Sequence, residues 1–306
     1  MLTMERKELE GALRTICRVA KKSATPVEEA CLLSASEEGL TLRARTSEVE
    51  CTLYLPCVAF AWKAWSACVS AHRLLDGLRS LRKAADDVRL FLEEGELRLE
   101  GLHLAAPCAT REFPSLVELP VKNGEFIELQ EDFGEATAYV LPAVDASSSF
   151  GYTANILLDF RNGKMVGSDR RRLHCAAIGP PVKRDAVRVS PDVLRVGHPT
   201  HVVLPAAGMK HVHLLLDNGY LTAPVRDGKF PPYEDVIPKK PACSFSVERG
   251  ALLDAVQQAL TVADRELHAC RFDLDGQIRM SVREKSSVVF ETSFPGRVQG
   301  KAMQVR

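Results

Sequence analysis

Apolar residues recur along this chain with two alternating periods. Leu9, Leu13, Ile16, Cys17 and Ala20 share one stripe at helical spacing. Leu74, Leu75, Leu78 and Leu81 form a second, and Leu252, Val256, Ala259, Leu260 and Ala263 a third. Each stripe predicts an amphipathic helix. Residues 133–146 predict a weaker one, interrupted by Pro142. Between the helices the period drops to two. Val49, Cys51, Leu53 and Leu55 alternate with Glu48, Glu50, Thr52 and Tyr54, and Val88, Leu90 and Leu92 precede a turn that Leu97 and Leu99 follow. Such alternation predicts sheets with one dry and one wet face.

The turns give the chain its organisation. Glu38-Gly39, Glu94-Gly95, Asn162-Gly163, Asn218-Gly219 and Asp275-Gly276 each sit between alternating stretches, with the glycines 56, 68, 56 and 57 residues apart. Asn-Gly and Asp-Gly supply the positive φ that tight hairpins demand. The repeating unit is one helix followed by strands, occurring five times. Before the fourth turn the helix is poorly marked: Ser190-Pro191-Asp192 is one start signal, and 205–212 is a second candidate. Only 25 residues separate Pro205 from Phe230, which predicts a reduced sheet there. A longer period lies above the unit, since Phe113-Pro114 recurs 117 residues later as Phe230-Pro231. Two units therefore make one domain, with boundaries near 121 and 242. The expectation is α+β architecture with domains at 1–121 and 122–242 and a half domain at 243–306, the sixth unit being absent.

Composition narrows the function classes. The 306 residues are 46% hydrophobic and 26% charged, which excludes wholesale disorder. Forty basic side chains balance forty acidic ones, excluding a wholly basic coat but not a basic face set against an acidic one. Residues 6–22 hold Arg6, Lys7, Arg14, Arg18, Lys21 and Lys22 against Glu8 and Glu10, and residues 70–84 hold Arg73, Arg79, Arg82 and Lys83 against Asp76. Residues 118–136 reverse the balance, with six acids and only Lys122. The stretch 51–71 carries one charge, Lys63, but Pro56 and its alternation read as strands rather than a membrane span. The N-terminus has no apolar signal region, and nine cysteines without a CxxC pair read as reduced, so a cytoplasmic setting is expected.

Catalytic chemistry finds no foothold. His211 and His213 share a strand face, yet no Cys or carboxylate accompanies them at ligand spacing, so no metal is expected. His174-Cys175, and Cys68 near His72, lack an orienting third group. Neither GxGxxG nor GxxxxGK[ST] occurs, and no cofactor is expected.

Three domains, each a pair of such units, resemble the bacterial DNA polymerase III β subunit, the sliding-clamp family. Gly167-Ser168-Asp169-Arg170-Arg171-Arg172-Leu173 sits where the family shows T-D-G-H-R-L. Phe230-Pro231-Pro232-Tyr233-Glu234-Asp235-Val236-Ile237-Pro238 is similar to F-P-D-Y-x-x-V-I-P. Thr25-Pro26 stands where these clamps show L-P, and Phe113-Pro114 matches the first closing F-P. The likeness runs through the chain and stops before the second half of the third domain.

The resemblance implies a DNA-clamp fold whose helices line a central hole. It implies a non-catalytic processivity factor that encircles double-stranded DNA and tethers the replicative polymerase. The partners it implies are the DNA polymerase III alpha subunit, a clamp loader and a second copy in a head-to-tail ring. Lys21, Lys22, Arg73, Arg79, Arg82, Lys83 and Tyr152 match DNA-contacting positions. Ser168, Arg170, Arg172, Leu173, Pro231, Asp235 and Val236 match a peptide pocket, and Thr261 and Val262 the dimer contact. Arg170 departs from a family glycine and Arg171 from a histidine, while Asp235 stands where some members carry a base. The alternative reading is a truncated or divergent clamp paralogue that closes no ring and acts as a protein-binding module.

Overall fold

The computed structural model describes residues 1–21, 25–61, 63–81, 86–99, 102–104, 109–117, 119, 124–148, 150–205, 210–263, 269–284 and 287–305. These form two compact bodies, Met1–Pro231 and Pro232–Arg306. The first body holds four units. Unit one is β1 (Leu2–Glu5), α1 (Arg6–Val19), a one-turn α2 (Pro26–Glu29), β2 (Ala30–Ser36), β3 (Gly39–Arg45) and β4 (Glu50–Leu55). After a short β5 (Ala59–Phe60), unit two is β6 (Trp65–Ser70), α3 (Ala71–Ser80), β7 (Asp87–Glu93), β8 (Glu96–Leu99) and β9 (Leu102–Leu104). Unit three is β10 (Gly124–Glu128), α4 (Phe133–Val140), β11 (Ile156–Asp159), β12 (Lys164–Ser168) and β13 (Leu173–Ala177). Unit four is β14 (Val187–Val189), α5 (Pro191–Leu194), β15 (His201–Pro205), β16 (His211–Leu216) and β17 (Gly219–Pro224).

Helix α1 forms because one stripe of its surface is apolar. Leu9, Leu13 and Ile16 are fully buried against β3, β4 and α3, each burial contributing roughly 1.5–3 kcal/mol. The guanidinium of Arg6 donates to the carbonyls of Leu78 (2.9 Å) and Leu81 (3.2 Å), which end α3. A cation thus meets carbonyls that have no partner inside the helix. Helix α4 stops at Val140, and Leu141–Ala143 tighten into a single 3₁₀ turn around Pro142, as the interruption predicts.

Unit four departs from expectation in two ways. Its sheet is complete, with β15, β16 and β17 paired in order. What is reduced is the helix: α5 spans four residues after Ser190, whose hydroxyl accepts from the Asp192 amide at 3.3 Å. Of the second helix candidate, 205–212, residues 206–209 lie outside the described residues, and the rest of it is not helical. Pro205 ends β15 and His211 opens β16. Alternating pairs such as Val212 and Leu214 fill the core side of this sheet, a period that no helical stripe satisfies.

The strands join units rather than isolating them. β6 pairs with β2 and β1 with β7; β14 pairs with β11 and β10 with β15. Each leading strand therefore completes the sheet of its partner unit. β17 also pairs with β4, so one eight-stranded sheet, ordered β10-β15-β16-β17-β4-β3-β2-β6, runs from unit four into unit one. All five glycine turns connect hairpins. Glu94 (φ 51°) and Gly95 (φ 84°) adopt the positive φ pair that a two-residue hairpin needs. Asn218 does not: the turn there is Asp217-Asn218, and Gly219 opens β17. A Cβ on Gly219 would lie 2.1 Å from the Thr52 carbonyl oxygen, so close backbone approach, not left-handed φ, excludes a side chain.

One face of this sheet packs on the helices through Leu40, Leu42, Cys51, Leu53, Leu214 and Leu221. The connector after unit two crosses the opposite, outer face. Phe113 and Leu116 pack there on Ala30, Leu32 and Cys68, and the Val117 amide donates to Glu50 at 2.8 Å.

The second body contains β18 (Cys243–Val247), α6 (Arg249–Val262), β19 (Arg271–Leu274), β20 (Ile278–Glu284), β21 (Ser287–Phe294), β22 (Gly296–Gly300) and β23 (Met303–Val305). Glu248 caps α6, its carboxylate accepting from the Gly250 (2.8 Å) and Ala251 (2.6 Å) amides, and these bonds hold its pKa below the ordinary range. Ala255 and Ala259 form the buried stripe of α6, while Leu260, which the periodicity placed inside, is 54% exposed. The sixth unit is not wholly absent. β23 pairs with β19 just as β6 pairs with β2 and β14 with β11, so its leading strand is present.

Candidate nucleic-acid interface

Helices α1 and α3 lie side by side and expose their polar faces together. Lys7, Arg14 and Arg18 on α1, Lys21 just beyond it, and Arg73 and Arg79 on α3 are all exposed. Their freedom differs. Glu10 sits between the helices and accepts from Arg14 at 2.7 Å and from Arg79 Nε at 3.2 Å. Hydrogen bonds from Arg14 and then Arg79 hold the Glu10 carboxyl below its usual pKa. Arg18 donates to the Val196 carbonyl at 2.9 Å, beside the end of α5. With Arg6 capping α3, two of the basic residues counted from sequence serve the fold. Lys7, Lys21 and Arg73 form no ion pair among the described residues. Lys22, Arg82 and Lys83 lie outside the described residues. The sequence reading counts Glu10 only as an acid and misses its pairing role, although its spacing of four to Arg14 is a legible signal.

The other helices differ in charge. α4 carries Glu135 and no base, and α5 carries Asp192, which pairs with Arg195 at 2.8 Å. α6 holds only Arg249 and Asp254. On α4 the exposed aromatic side chain is Tyr139, whose ring stacks on His174 with centroids 4.8 Å apart. His174 Nδ1 also bonds the Tyr139 carbonyl at 2.7 Å, which accounts for this histidine without Cys175. Among the described residues the cationic helical surface is thus confined to units one and two.

Tyr152 stands beside the loop that links β12 to β13. Its ring lies 6.3 Å from Phe150 and meets Phe230 edge-on at 6.1 Å. Arg170 adopts φ 75°, and its guanidinium covers the Phe150 ring at 4.7 Å. Ser168 donates to the Arg172 carbonyl (2.9 Å), and Arg172 Nε donates to Asp169 (2.8 Å). Burial raises the Asp169 pKa, but bonds from the Arg172 and Arg171 amides and the Arg172 side chain outweigh it and hold it low. The three-arginine loop is therefore ordered by its own carboxylate. Leu173 opens β13, half-buried, and Pro231 is exposed at the end of the first body. In the second body Asp235 and Val236 are exposed on a 3₁₀ turn, and Thr261 and Val262 are exposed at the end of α6.

His213 is buried on the outer sheet face, bonded to Thr222 Oγ1 at 2.9 Å; burial, then the nearby His211, lowers its pKa to about 4. A neutral imidazole satisfied by a hydroxyl is a packing element. Burial likewise pushes the Cys51 thiol up to about 12 and Cys31 higher still, which removes both as nucleophiles. No cluster of His, Cys, Asp or Glu able to hold a metal occurs among the described residues, and no described helix is long and apolar enough to cross a membrane.

No protein-family model matches the chain. A beta sliding clamp from Pseudomonas putida is 22% identical over 324 aligned residues, spanning 99% of this chain and 86% of that protein. The crystal structure of DNA polymerase III subunit beta from Pseudomonas aeruginosa matches with a TM-score of 0.85 at 20% identity, again over 99% of this chain and 86% of the other. The beta subunit from Thermotoga maritima gives the same TM-score at 15% identity.

Proposed function

We propose that this chain, which carries the fold of the bacterial β sliding clamp and its α+β repeat of helix-plus-antiparallel-sheet units, is a DNA polymerase processivity factor. It holds duplex DNA by enclosure, makes and breaks no bond, and works without cofactor or metal. The observation that carries the reading is the shared cationic face of α1 and α3. Lys7, Lys21 and Arg73 are free to meet phosphates there, and Arg14 and Arg79 stand beside them. Phosphate contacts of this kind bind without reading sequence, as sliding requires.

The finer parts belong to the same proposal. Domains at 1–121, 122–242 and 243–306 provide the repeat. Sheet edges supply the ring contact: β9 ends the sheet of units one and two, and β21 ends the second body's four-stranded sheet. Two copies placed head to tail join those edges into continuous sheets, with Thr261 and Val262 beside the seam. Ser168, Arg170, Arg172, Leu173 and Pro231 of the first body, and Asp235 and Val236 of the second, are the residues proposed to serve short peptides of the polymerase alpha subunit and the clamp loader. The setting proposed is cytoplasmic.

One observation favours the paralogue reading as the second choice. Arg170 folds over Phe150, where the family carries glycine, and fills space beside the proposed peptide loop. Retention on nicked circular DNA decides between the readings. Salt-sensitive retention that is lost when the circle is linearised is the expected result; equal retention on linear DNA, or none, overturns enclosure.

A further inference from the structure

We propose that the outer face of the eight-stranded sheet carries a separate docking site for a linear peptide whose carboxylate side chain is flanked by apolar residues. Arg43 of β3, Tyr54 of β4, Leu215 of β16 and Tyr220 of β17 surround a cavity of about 740 Å³ there, closed by Leu119 of the connector and the Asp217–Gly219 turn. That volume lies within the range of ligand clefts. Arg43 is the anomaly of the region. Among the described residues its Nε, shielded from solvent, donates to nothing and its guanidinium meets no carboxylate. Arg45, two residues on along the same face, pairs with Glu50 at 3.5 Å, and Glu50 also accepts the Val117 amide, so that acid is already engaged. Leaving a shielded guanidinium Nε without an acceptor is costly, and a planar carboxylate is the best geometric complement of the group.

The rest of the cavity selects the kind of ligand. Leu119, Leu215 and the Tyr220 ring give apolar walls, and Tyr54 stands half exposed with its ring 6.5 Å from that of Tyr220. Asp217 sits at the turn and repels a polyanion, whereas a single carboxylate on an otherwise neutral chain fits one arginine. Tyr54 and Asn218 also border a smaller hollow of about 270 Å³ that continues to Lys7, Gly11 and Thr15 of α1. An extended segment can therefore pass Tyr54 from one hollow to the next. The Arg43 cavity lies on the outer sheet face and does not rest on the DNA surface proposed above, although the smaller hollow reaches Lys7 of that surface.

Calorimetric titration of the full chain tests the idea with Ac-Leu-Glu-Leu-Leu-NH2, its Gln analogue and the oligonucleotide dT4. The Glu peptide should bind with sub-millimolar affinity, the Gln analogue about tenfold more weakly or less. Arg43→Met should remove that preference, and Tyr54→Ala should weaken binding of both peptides. Circular dichroism checks the fold of each variant, and Tyr54→Ala carries the test should Arg43→Met unfold. No binding at millimolar Glu peptide overturns the proposal. So does equal binding of the Gln analogue or an undiminished Arg43→Met, and so does Arg43-dependent binding of dT4 in place of peptide. Retention on nicked circular DNA is unaffected by Arg43→Met, which keeps this outcome distinct from failure of the clamp reading.

Discussion

Units one and two and units three and four are built on the same strand pairing, yet their helices differ. α1 and α3 are 14 and 10 residues long and expose a row of cations, while α4 and α5 are 8 and 4 residues long and bring no base of their own. The outer faces differ too. Three residues before its helix, β6 places Cys68 opposite Leu32, a small residue over which Phe113 packs. At the same offset β14 places Arg188 opposite Leu157, and Arg188 is only 5% exposed. The architecture is thus maintained by backbone pairing and by the apolar periods, and charge is free to drift between repeats. Enclosure of DNA does not demand a uniform lining; it demands a closed path and enough cations somewhere on it.

The largest effect expected from this contrast is on DNA. Replacing Lys21, Arg73 and Arg79 together by glutamine removes up to three phosphate contacts, each worth about 0.9 in the slope of log affinity against log salt. The slope should shrink by roughly 2 to 3, and affinity at low salt should fall by more than an order of magnitude. Fluorescence anisotropy across a salt series measures both. An unchanged slope would place the DNA path elsewhere, and the first pair of units would lose its distinction.

A second experiment addresses Arg188. Among the described residues its Nε meets no acceptor and its guanidinium donates only to the Arg226 carbonyl at 3.4 Å, and burial lowers its pKa despite the pull of Asp227. Burying a charge without a paired acid is unfavourable, and apolar replacement of buried ionic groups is often neutral or stabilising by 1–4 kcal/mol. Arg188→Met should therefore raise the urea midpoint, by roughly 1–3 kcal/mol of stability. Cys68→Arg, which copies the oddity into the first pair, should lower it. Destabilisation by Arg188→Met would mean that this guanidinium has a partner in solution.

Much of this molecule is legible in the order of its residues, and the gaps have physical causes. The stripes of α1 and α3, the kink at Pro142 and the five hairpins follow from period and turn chemistry. Helix α5 hides because four residues cannot show a period; only the Ser190 cap marks it. The completeness of unit four is obscured for a related reason: with the helix moved upstream, His201–Pro205, His211–Leu216 and Gly219–Pro224 are left for three strands. Gly219 is readable as a required glycine, but not why, since the Thr52 carbonyl that excludes a side chain comes from another repeat. The same holds at the candidate interface. Exposed bases can be listed from sequence, but only the fold shows that Arg6 and Arg18 are consumed by helix ends, or that Arg79, 69 residues from Glu10, shares its carboxylate.

Glu10 gives the finest test of the comparison, because it restrains cations in the basic pair that the other pair never had. Its carboxylate holds Arg14 and Arg79 in place and withholds part of their charge from phosphate. Glu10→Gln removes one acid and releases two guanidinium groups. Stability should change by no more than about 0.5 kcal/mol, since an exposed ion pair is worth little. DNA affinity should rise a few-fold at low salt, with the salt slope steepened by about 0.9 for each arginine that gains a phosphate. The gain should vanish as salt approaches 1 M, where the screening length falls to about 3 Å. A variant that binds no better at low salt would show that Glu10 positions these arginines for phosphate rather than withholding them, and the cationic face would then be a built lattice and not a reservoir of loose charge.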